Sequence, residues 1–212
     1  MLVFMALDVP ATTVFETLCD ELIAVGRRFD QSGWVPASGG NFSARVDEQT
    51  VAITASGRHK GELGRADFLR CDLQGQVLGE GTSSYETGLH LQVYRRELGV
   101  GAVLHNHSVA ATVLSRQAGN VLILQGYELL KLFDGHSDPQ QPLSLPVFEN
   151  EQDIAALAAQ IDQAMDNYGT GHAYLIEGHG LYTWGANIQQ ARLRVEALEF
   201  MLACELQQTM QH

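Results

Sequence analysis

The sequence predicts one α+β domain formed by residues 1–212. Apolar residues at helical spacing occur near both ends of the chain, and short alternating segments typical of strands lie between them. The strands follow one another too closely and too irregularly for a run of βαβ units. The chain contains no repeat, low-complexity tract or long linker, and its hydrophobic content of 45% provides for a sizeable core.

The first predicted helix starts near Thr13. Thr13 and Glu16 have the spacing of a capping box, in which side chains satisfy the free backbone N–H groups at a helix start. Apolar residues then recur at steps of three and four residues. These residues are Phe15, Leu18, Leu22 and Val25.

Two strands and a second helix are predicted next. The Gly-, Ser- and Pro-rich stretch 33–40 indicates a loop, and the alternating segments 41–46 and 50–55 are typical of short strands. Ser83 or Ser84 is a suitable N-cap for the second helix. Its apolar side is formed by Leu89, Val93 and Tyr94.

The second half of the chain is predicted to alternate between strands and three helices. The predicted strands are 100–107, 121–124, which is expected to be buried, and 172–183. The helices are expected to begin at Ser108, at Asn150 or Asp153, and near Asn187. The apolar stripes of the last two helices are Ile154, Leu157, Ala158, Ile161 and Met165, and Ala191, Val195, Leu198, Leu202 and Leu206.

The charge balance restricts the kinds of partner. The chain has 13 Lys and Arg residues against 25 Asp and Glu residues, a net charge of −12. Nucleic acid and anionic lipid both need a basic surface, so neither is expected as the main partner. Only 18% of the residues are charged, below the usual quarter, which indicates that part of the surface is buried in an oligomer.

The cysteines and the apolar segments predict a cytoplasmic protein. Cys19, Cys71 and Cys204 are odd in number and far apart, as expected in a reducing compartment. Met1–Pro10 lacks the features of a signal peptide, and no apolar run approaches the roughly 18 residues of a membrane span.

His105-Asn106-His107 is the strongest chemical motif, and no dinucleotide, P-loop, zincin or hydrolase motif accompanies it. On a strand, positions i and i+2 face the same side, so both imidazoles can meet one metal ion. His179 is a candidate third ligand, because three neutral nitrogens with an open fourth position are typical of catalytic zinc. The alternative is a chance pair of partly buried histidines.

Two carboxylates are candidates for acid/base chemistry, and spacing alone favours neither. Glu86 follows Ser83 by three residues, which equally fits a structural capping box. Glu128 could equally be a solvated helix residue that pairs with Lys131.

Three loops offer the backbone N–H groups and hydroxyls that hold a phosphate group. They are Ser38–Asn41, Thr54–Gly57 and Ser83–Ser84. Arg58 and Lys60 lie close enough in sequence to add positive charge. Each loop taken singly also fits ordinary turn chemistry.

The order of these motifs resembles the class II aldolase family, which includes fuculose-phosphate aldolase and ribulose-phosphate epimerase. The resemblance extends from about residue 12 to 205. Longer strings are similar to the methylthioribulose-phosphate dehydratase branch of that family, and they are far more specific than His-x-His. These strings are 54–61, 126–131, 146–154 and 173–185.

The resemblance implies a three-layer α/β/α fold with a mainly antiparallel central sheet. It also implies a homotetramer with active sites at subunit interfaces, and one Zn²⁺ ion per subunit held by His105, His107 and His179. Three imidazoles suit iron and cobalt as well. The residues that match the family's phosphate site are Gly40, Asn41, Ser56, Gly57, Ser83 and Ser84, with Lys60 as a further candidate.

The implied activity is the dehydration of 5-methylthioribulose 1-phosphate to 5-methylthio-2,3-dioxopentyl 1-phosphate, a lyase step of methionine salvage. Glu128 matches the acid/base residue of the dehydratase branch, and Glu86 matches the base of the aldolase branch. Zinc would polarise the C2 carbonyl and make the C3 proton acidic. Two alternatives stay open: an aldolase or epimerase on the same scaffold, and a scaffold protein without activity.

Overall fold

Eight strands and five helices form within residues 11–210, which are the residues that the computed structural model describes. The strands are β1 Asn41–Arg45, β2 Thr50–Thr54, β3 Phe68–Asp72, β4 Ala102–Asn106, β5 Val121–Leu124, β6 Leu143–Phe148, β7 Ala173–Ile176 and β8 Gly180–Gly185. The helices are α1 Ala11–Gln31, α2 Thr87–Arg96, α3 Val109–Ser115, α4 Ile154–Tyr168 and α5 Ile188–Thr209. Short 3-10 helices occupy Lys60–Glu62, Arg65–Asp67 and Glu128–Leu132.

The strands form one sheet in the order β3-β2-β1-β4-β8-β7-β6-β5. The pairing of β6 with β7 is parallel and the other pairings are antiparallel. This arrangement confirms the predicted α+β class and the mainly antiparallel central sheet.

Alternation along the sheet directs side chains into two helical layers. On β4, Val103 packs in a core cluster with residues of α2 and α4. Its neighbours Ala102 and Leu104 pack on the opposite face with residues of α1 and α5. A third cluster joins α3 and α5 to the β5–β8 side of the sheet. The molecule is therefore a three-layer α/β/α structure, as expected.

Three predicted N-cap residues are confirmed at the starts of α3, α4 and α5. Ser108, Asp153 and Asn187 each accept hydrogen bonds from backbone N–H groups two or three positions further on. Such bonds satisfy the free donors at a helix N-terminus.

The other two predicted caps are wrong. Thr13 lies inside α1, which already includes Ala11. The N-cap position of α2 is Glu86 itself, and its side chain makes no capping bond. Ser84 lies in the turn before α2, where its carbonyl oxygen accepts from the Thr87 N–H at 3.0 Å and its Oγ from the Glu86 N–H at 3.4 Å. The capping-box explanation of Glu86 is thereby removed.

Some strands also differ from the sequence prediction. The segment 172–183 is a hairpin, β7 and β8, with a turn at 177–179, so His179 lies in a turn and not on a strand. β5 is an edge strand and only half buried, because Val121 and Ile123 face away from the core. β3 and β6 were not predicted, and Pro146 within β6 hides its strand pattern.

Two further predictions concern the whole chain. None of the helices within residues 11–210 has the length and apolar character needed to cross a membrane. Residues 1–10 and 211–212 lie outside the described residues. The prediction that Met1–Pro10 is not a signal peptide concerns residues in this part and stays a prediction. That 1–212 forms one domain stays a prediction.

Candidate metal centre

Close backbone packing brings the three histidines together. His105 is on β4, His107 follows that strand directly, and His179 precedes β8, which pairs with β4. A side chain on Gly180 would come within 2.1 Å of the Asn106 carbonyl oxygen. Gly40 has φ +76°, and a side chain there would meet the His105 carbonyl oxygen at 2.6 Å. Glycine at these positions lets the loops close around the histidines.

The Nε2 atoms of the three imidazoles converge. His107 Nε2 lies 2.7 Å from His105 Nε2 and 3.1 Å from His179 Nε2. The Glu86 carboxylate completes the group, with Oε1 3.0 Å from His179 Nε2 and Oε2 3.6 Å from His105 Nε2. One ligand atom from each of these four residues lies within 4.8 Å of the others, so the group could hold a metal ion.

The protonation of the imidazoles fits metal binding. His105 Nδ1 lies 3.0 Å from the Leu181 carbonyl oxygen, which can only accept, so Nδ1 carries the proton and Nε2 presents its lone pair. Burial lowers the pKa of His105 well below its usual value, and that of His107 to about 4. Both rings are therefore neutral at pH 7, the form that binds metals.

Glu86 supplies the negative charge of the group. Burial raises the pKa of Glu86, but the neighbouring His105 and His179 lower it by more, so the carboxyl is ionised at neutral pH. Its side chain is 15% exposed. Three imidazole nitrogens and one carboxylate oxygen form a donor set that suits a divalent transition metal.

Two supports of this centre were not found from the sequence. The Tyr182 ring stacks on His105 at 3.8 Å, because β4 and β8 place these residues opposite each other. On α3, Thr112 donates to the His179 carbonyl oxygen at 3.0 Å, and Ser115 accepts from the Gly178 N–H at 3.0 Å. These hydroxyls fix the turn that carries His179. Their three-residue spacing on one helix is the only signal in the sequence.

The predicted phosphate loops meet beside Glu86. Asn41 Nδ2 donates to Ser84 Oγ at 2.8 Å and lies 3.4 Å from Glu86 Oε2. The Ser56 N–H donates to the carbonyl oxygen of Thr82, next to Ser83, at 3.0 Å. Gly57 has φ +71°, which the turn after Ser56 requires. The three loops are therefore neighbours in space.

The two basic candidates behave differently. Lys60 is buried, and its ammonium group donates to the carbonyl oxygens of Ser38 and Arg58 at 2.8 and 2.6 Å. Burial lowers the pKa of Lys60 to about 8. It therefore ties two of the loops together and keeps one further donor. Arg58 pairs with Asp67 at 3.1 Å and is largely exposed.

Glu128 is not part of this group in the same chain. It starts the 3-10 helix Glu128–Leu132, and its side chain is 74% exposed. Its Oε1 atom lies 2.6 Å from Lys131 Nζ. Within one chain this matches the alternative interpretation, a solvated glutamate that pairs with a nearby lysine.

An open cavity of about 580 Å³ extends from His107 and His179. The start of α3 forms an apolar wall of this cavity with Val109 and Val113, and Pro36 adds to it. Val109 is 70% exposed. Asn150 and Gln152 also line the cavity.

Comparison with known proteins identifies the family. The sequence profile of the class II aldolase and adducin N-terminal domain matches residues 20–206. The chain belongs to this family. Similar members are the methylthioribulose-1-phosphate dehydratases of Pseudomonas aeruginosa, 48% identical over 193 residues, and of Alcanivorax borkumensis, 46% identical over 198 residues. These alignments cover 90% and 93% of this chain, and 94% of each relative.

Solved structures show the class II aldolase fold as well. The L-fuculose-1-phosphate aldolase of Thermus thermophilus has a TM-score of 0.75 and 26% identity, and the match covers 92% of this chain and 95% of the aldolase. Another L-fuculose 1-phosphate aldolase has a TM-score of 0.76 and 24% identity, covering 91% of this chain and 86% of that one. The resemblance seen in the sequence is confirmed for family and fold.

Proposed function

We propose that this class II aldolase family member is a metal-dependent methylthioribulose-1-phosphate dehydratase, a lyase of methionine salvage. The observation that carries the proposal is the convergence of His105, His107, His179 and Glu86 in a chain 48% identical to dehydratases of that name. The reaction removes the C3 proton and the C4 hydroxyl of 5-methylthioribulose 1-phosphate. The resulting enol tautomerises to 5-methylthio-2,3-dioxopentyl 1-phosphate.

The metal is proposed to be one zinc ion per subunit. His105, His107 and His179 would hold it, and the Glu86 carboxylate faces the same point. Neutral imidazoles and a carboxylate are common zinc ligands in catalytic sites. When bound, the ion supplies Lewis-acid polarisation to the oxygens next to the reacting carbon.

The three neighbouring loops are proposed to bind the C1 phosphate and fix the substrate's register. The proposed phosphate-binding residues are Gly40, Asn41, Ser56, Gly57, Ser83, Ser84 and Lys60. Backbone N–H groups, hydroxyls and one amide suit a phosphate without a basic surface, which reconciles an anionic substrate with a net charge of −12.

The apolar wall of the cavity is proposed to receive the methylthio group. Asn41 and Ser84 lie on the Glu86 side of the metal centre, whereas the wall adjoins His107 and His179. A substrate anchored by phosphate at one end would extend its C5 end toward Val109 and Val113. The variant Val109→Thr adds a hydroxyl to this wall, so KM for the substrate should rise several-fold, by roughly 1 kcal/mol of binding.

Glu128 is proposed to carry out the proton transfers, removing the C3 proton and protonating the C4 hydroxyl as it leaves. It is exposed and lies outside the metal group of its own chain. We therefore place Glu128 at the metal centre of a neighbouring subunit in a homotetramer. The low fraction of charged residues, 18%, is consistent with extensive subunit interfaces.

A direct assay tests the proposal. The purified protein is incubated with 5-methylthioribulose 1-phosphate, then treated with a chelator, and zinc is added back. Formation of the diketone phosphate that stops with chelator and returns with zinc is expected. Absence of product from the zinc-loaded protein would reject the dehydratase assignment.

One observation favours an aldolase as second candidate. Glu86 occupies the metal centre, and the similar structures include fuculose-phosphate aldolases. Cleavage of C3–C4 would release a two- or three-carbon fragment, so product analysis separates the reactions. Failure to retain metal after purification without chelators would favour a scaffold without activity.

A further inference from the structure

A chain of buried hydrogen bonds runs from the proposed phosphate loops into the core between β1 and α2. Its members are Asn41, Ser43, His90 and Tyr94, none more than 1% exposed. Asn41 and Ser43 lie on the same face of β1, and His90 and Tyr94 are one turn apart on α2. The two elements therefore present matching pairs of polar groups.

The distances in this chain are short. His90 Nε2 lies 2.6 Å from Asn41 Oδ1, and His90 Nδ1 lies 2.7 Å from Ser43 Oγ. Ser43 Oγ lies 2.9 Å from the Tyr94 hydroxyl. Both ring nitrogens of His90 are thus engaged by different partners.

The Asn41 amide determines the direction of these bonds. Its other end faces Ser84 Oγ and the Glu86 carboxylate, at 2.8 and 3.4 Å. A carboxylate only accepts, so the NH₂ end of Asn41 must face Glu86, since an amide oxygen there would set two acceptors against each other. The amide oxygen therefore faces His90 and requires a proton on His90 Nε2.

The remaining bonds follow from that proton. A neutral imidazole protonated on Nε2 accepts at Nδ1, so Ser43 donates to His90 and accepts from Tyr94. Burial lowers the pKa of His90 to about 4, which keeps the ring neutral. A neutral ring has one donor and one acceptor, so the hydrogen bonds run in a single order: Tyr94 donates to Ser43, Ser43 to His90, and His90 to Asn41.

We infer that His90 is a positioning residue that holds the Asn41 amide with its N–H groups toward the substrate phosphate. The inference rests on the proposed function, because it concerns the proposed phosphate site. It explains why a fully buried histidine lies behind that site, because an apolar side chain there would leave the Asn41 oxygen without its partner. Glu86 disfavours the flipped amide on one side, and His90 fixes the amide oxygen on the other. Loss of His90 would leave the Asn41 amide held from one side only, with an oxygen that lacks its partner.

Two variants of His90 distinguish the effect of its hydrogen-bond donor from the effect of its side-chain size. His90→Phe keeps a ring but removes the donor, and His90→Gln places an amide N–H near the position of Nε2. The dissociation constant of inorganic phosphate, measured by calorimetry on the zinc-loaded protein, should rise about tenfold in His90→Phe. It should recover to within about threefold of the unaltered protein in His90→Gln. KM for 5-methylthioribulose 1-phosphate should change in the same order.

Gln92→Leu is the matched control. Gln92 is equally buried on α2, but it donates to Asp162 at 2.6 Å, away from the phosphate loops. This variant is expected to change stability without changing the phosphate dissociation constant. Unchanged phosphate binding in a folded His90→Phe variant would overturn the inference, as would equal weakening in Gln92→Leu.

The tautomer of His90 gives a test that needs no variant and no activity. Histidine-selective ¹⁵N NMR of the unaltered protein should show His90 protonated on Nε2. Protonation on Nδ1 would overturn the inference, since it reverses the Asn41 amide. If the dehydration assay fails while phosphate binds with the expected order of variants, the proposed substrate is wrong and the positioning role stands. Absence of phosphate binding by the unaltered protein would contradict the inference itself.

Discussion

Glu86 and Glu128 belong to two contrasting regions of the molecule. Glu86 stands at the start of α2, 15% exposed, with its oxygens 3.0 and 3.6 Å from two imidazole nitrogens. Glu128 starts a surface 3-10 helix, 74% exposed, and pairs with Lys131. The first carboxylate is built into a buried centre by its own chain, and the second faces outward.

The contrast shows that burial and neighbouring side chains, and not residue type alone, determine what a glutamate can do. A buried carboxylate among imidazoles is held in place and binds a cation with little competition from water. An exposed carboxylate paired with lysine contributes about 1 kcal/mol or less to stability. A stabilising ion pair is therefore a weak explanation for the presence of Glu128 at this position. We therefore propose metal contact for Glu86 and proton transfer in a neighbouring subunit for Glu128.

Loss of a central imidazole should have the largest effect. His105→Ala removes one of three nitrogen donors, so bound metal and turnover should both fall to background. Metal analysis and the dehydration assay measure this. A variant that keeps its metal content would show that His105-Asn106-His107 is structural.

Glu128→Gln should separate chemistry from metal binding. We expect unchanged zinc content and a fall in kcat by about 10²- to 10⁴-fold, the usual contribution of a general acid or base. Glu48→Gln, at an exposed glutamate in the β1–β2 turn, is the control and should be fully active. Near-normal dehydration by Glu128→Gln would reject its assignment.

Glu86→Gln should act on the metal first. Removal of the negative charge is expected to weaken zinc binding by about 10- to 100-fold, measured by competition with a chelator. Thermal stability of the metal-free protein should change little, because Glu86 makes no capping bond and the glutamine oxygen can still accept from Asn41 or His179. A drop in stability with normal zinc affinity would restore the capping explanation.

A third carboxylate predicts a smaller, pH-dependent effect. Glu199 is buried on α5, where it accepts from Asn106 at 2.5 Å, and burial raises its pKa from 4.5 to about 7. The folded protein keeps this proton between pH 4.5 and 7 while the unfolded chain releases it, so stability falls as pH rises through that window. The loss is on the order of 3 kcal/mol.

Glu199→Gln cannot ionise and should not show this loss. Chemical denaturation at several pH values measures the difference in unfolding free energy between the variant and the unaltered protein. The difference should grow in favour of the variant from pH 4.5 to 7 and then level off. A constant difference would show that Glu199 is ionised in the folded state.

The sequence predicts local features of this molecule better than distant pairings. Ser108, Asp153 and Asn187 cap helices through bonds to residues two or three positions away, so the local pattern contains the cause. By contrast, β6 pairs in parallel with β7 across the helix α4, and Pro146 interrupts its strand pattern, so its sequence gives little signal. Thr13 and Glu16 have the spacing of a capping box but lie inside the longer helix α1, so this spacing predicted a wrong helix start.

The same distinction holds for the candidate site. His105 and His107 could be paired from spacing on a strand, and the structure brings them together. His179 joins them because β4 pairs with β8, and Glu86 joins them because α2 starts beside the end of β4. The spacing of residues in the sequence does not show either of these contacts. The selection of these two residues depended on family resemblance, and the catalytic role of Glu128 stays a prediction because it requires a second subunit.

Subunit mixing tests most directly the claim that the buried centre of one chain works with the exposed Glu128 of another. His105→Ala lacks a metal centre and Glu128→Gln lacks the proton-transfer group, so each alone should be inactive. Random tetramers formed from equal amounts should regain about a quarter of the unaltered activity, since one site in four combines an intact centre with an intact Glu128. Mixed tetramers without activity would contradict the account.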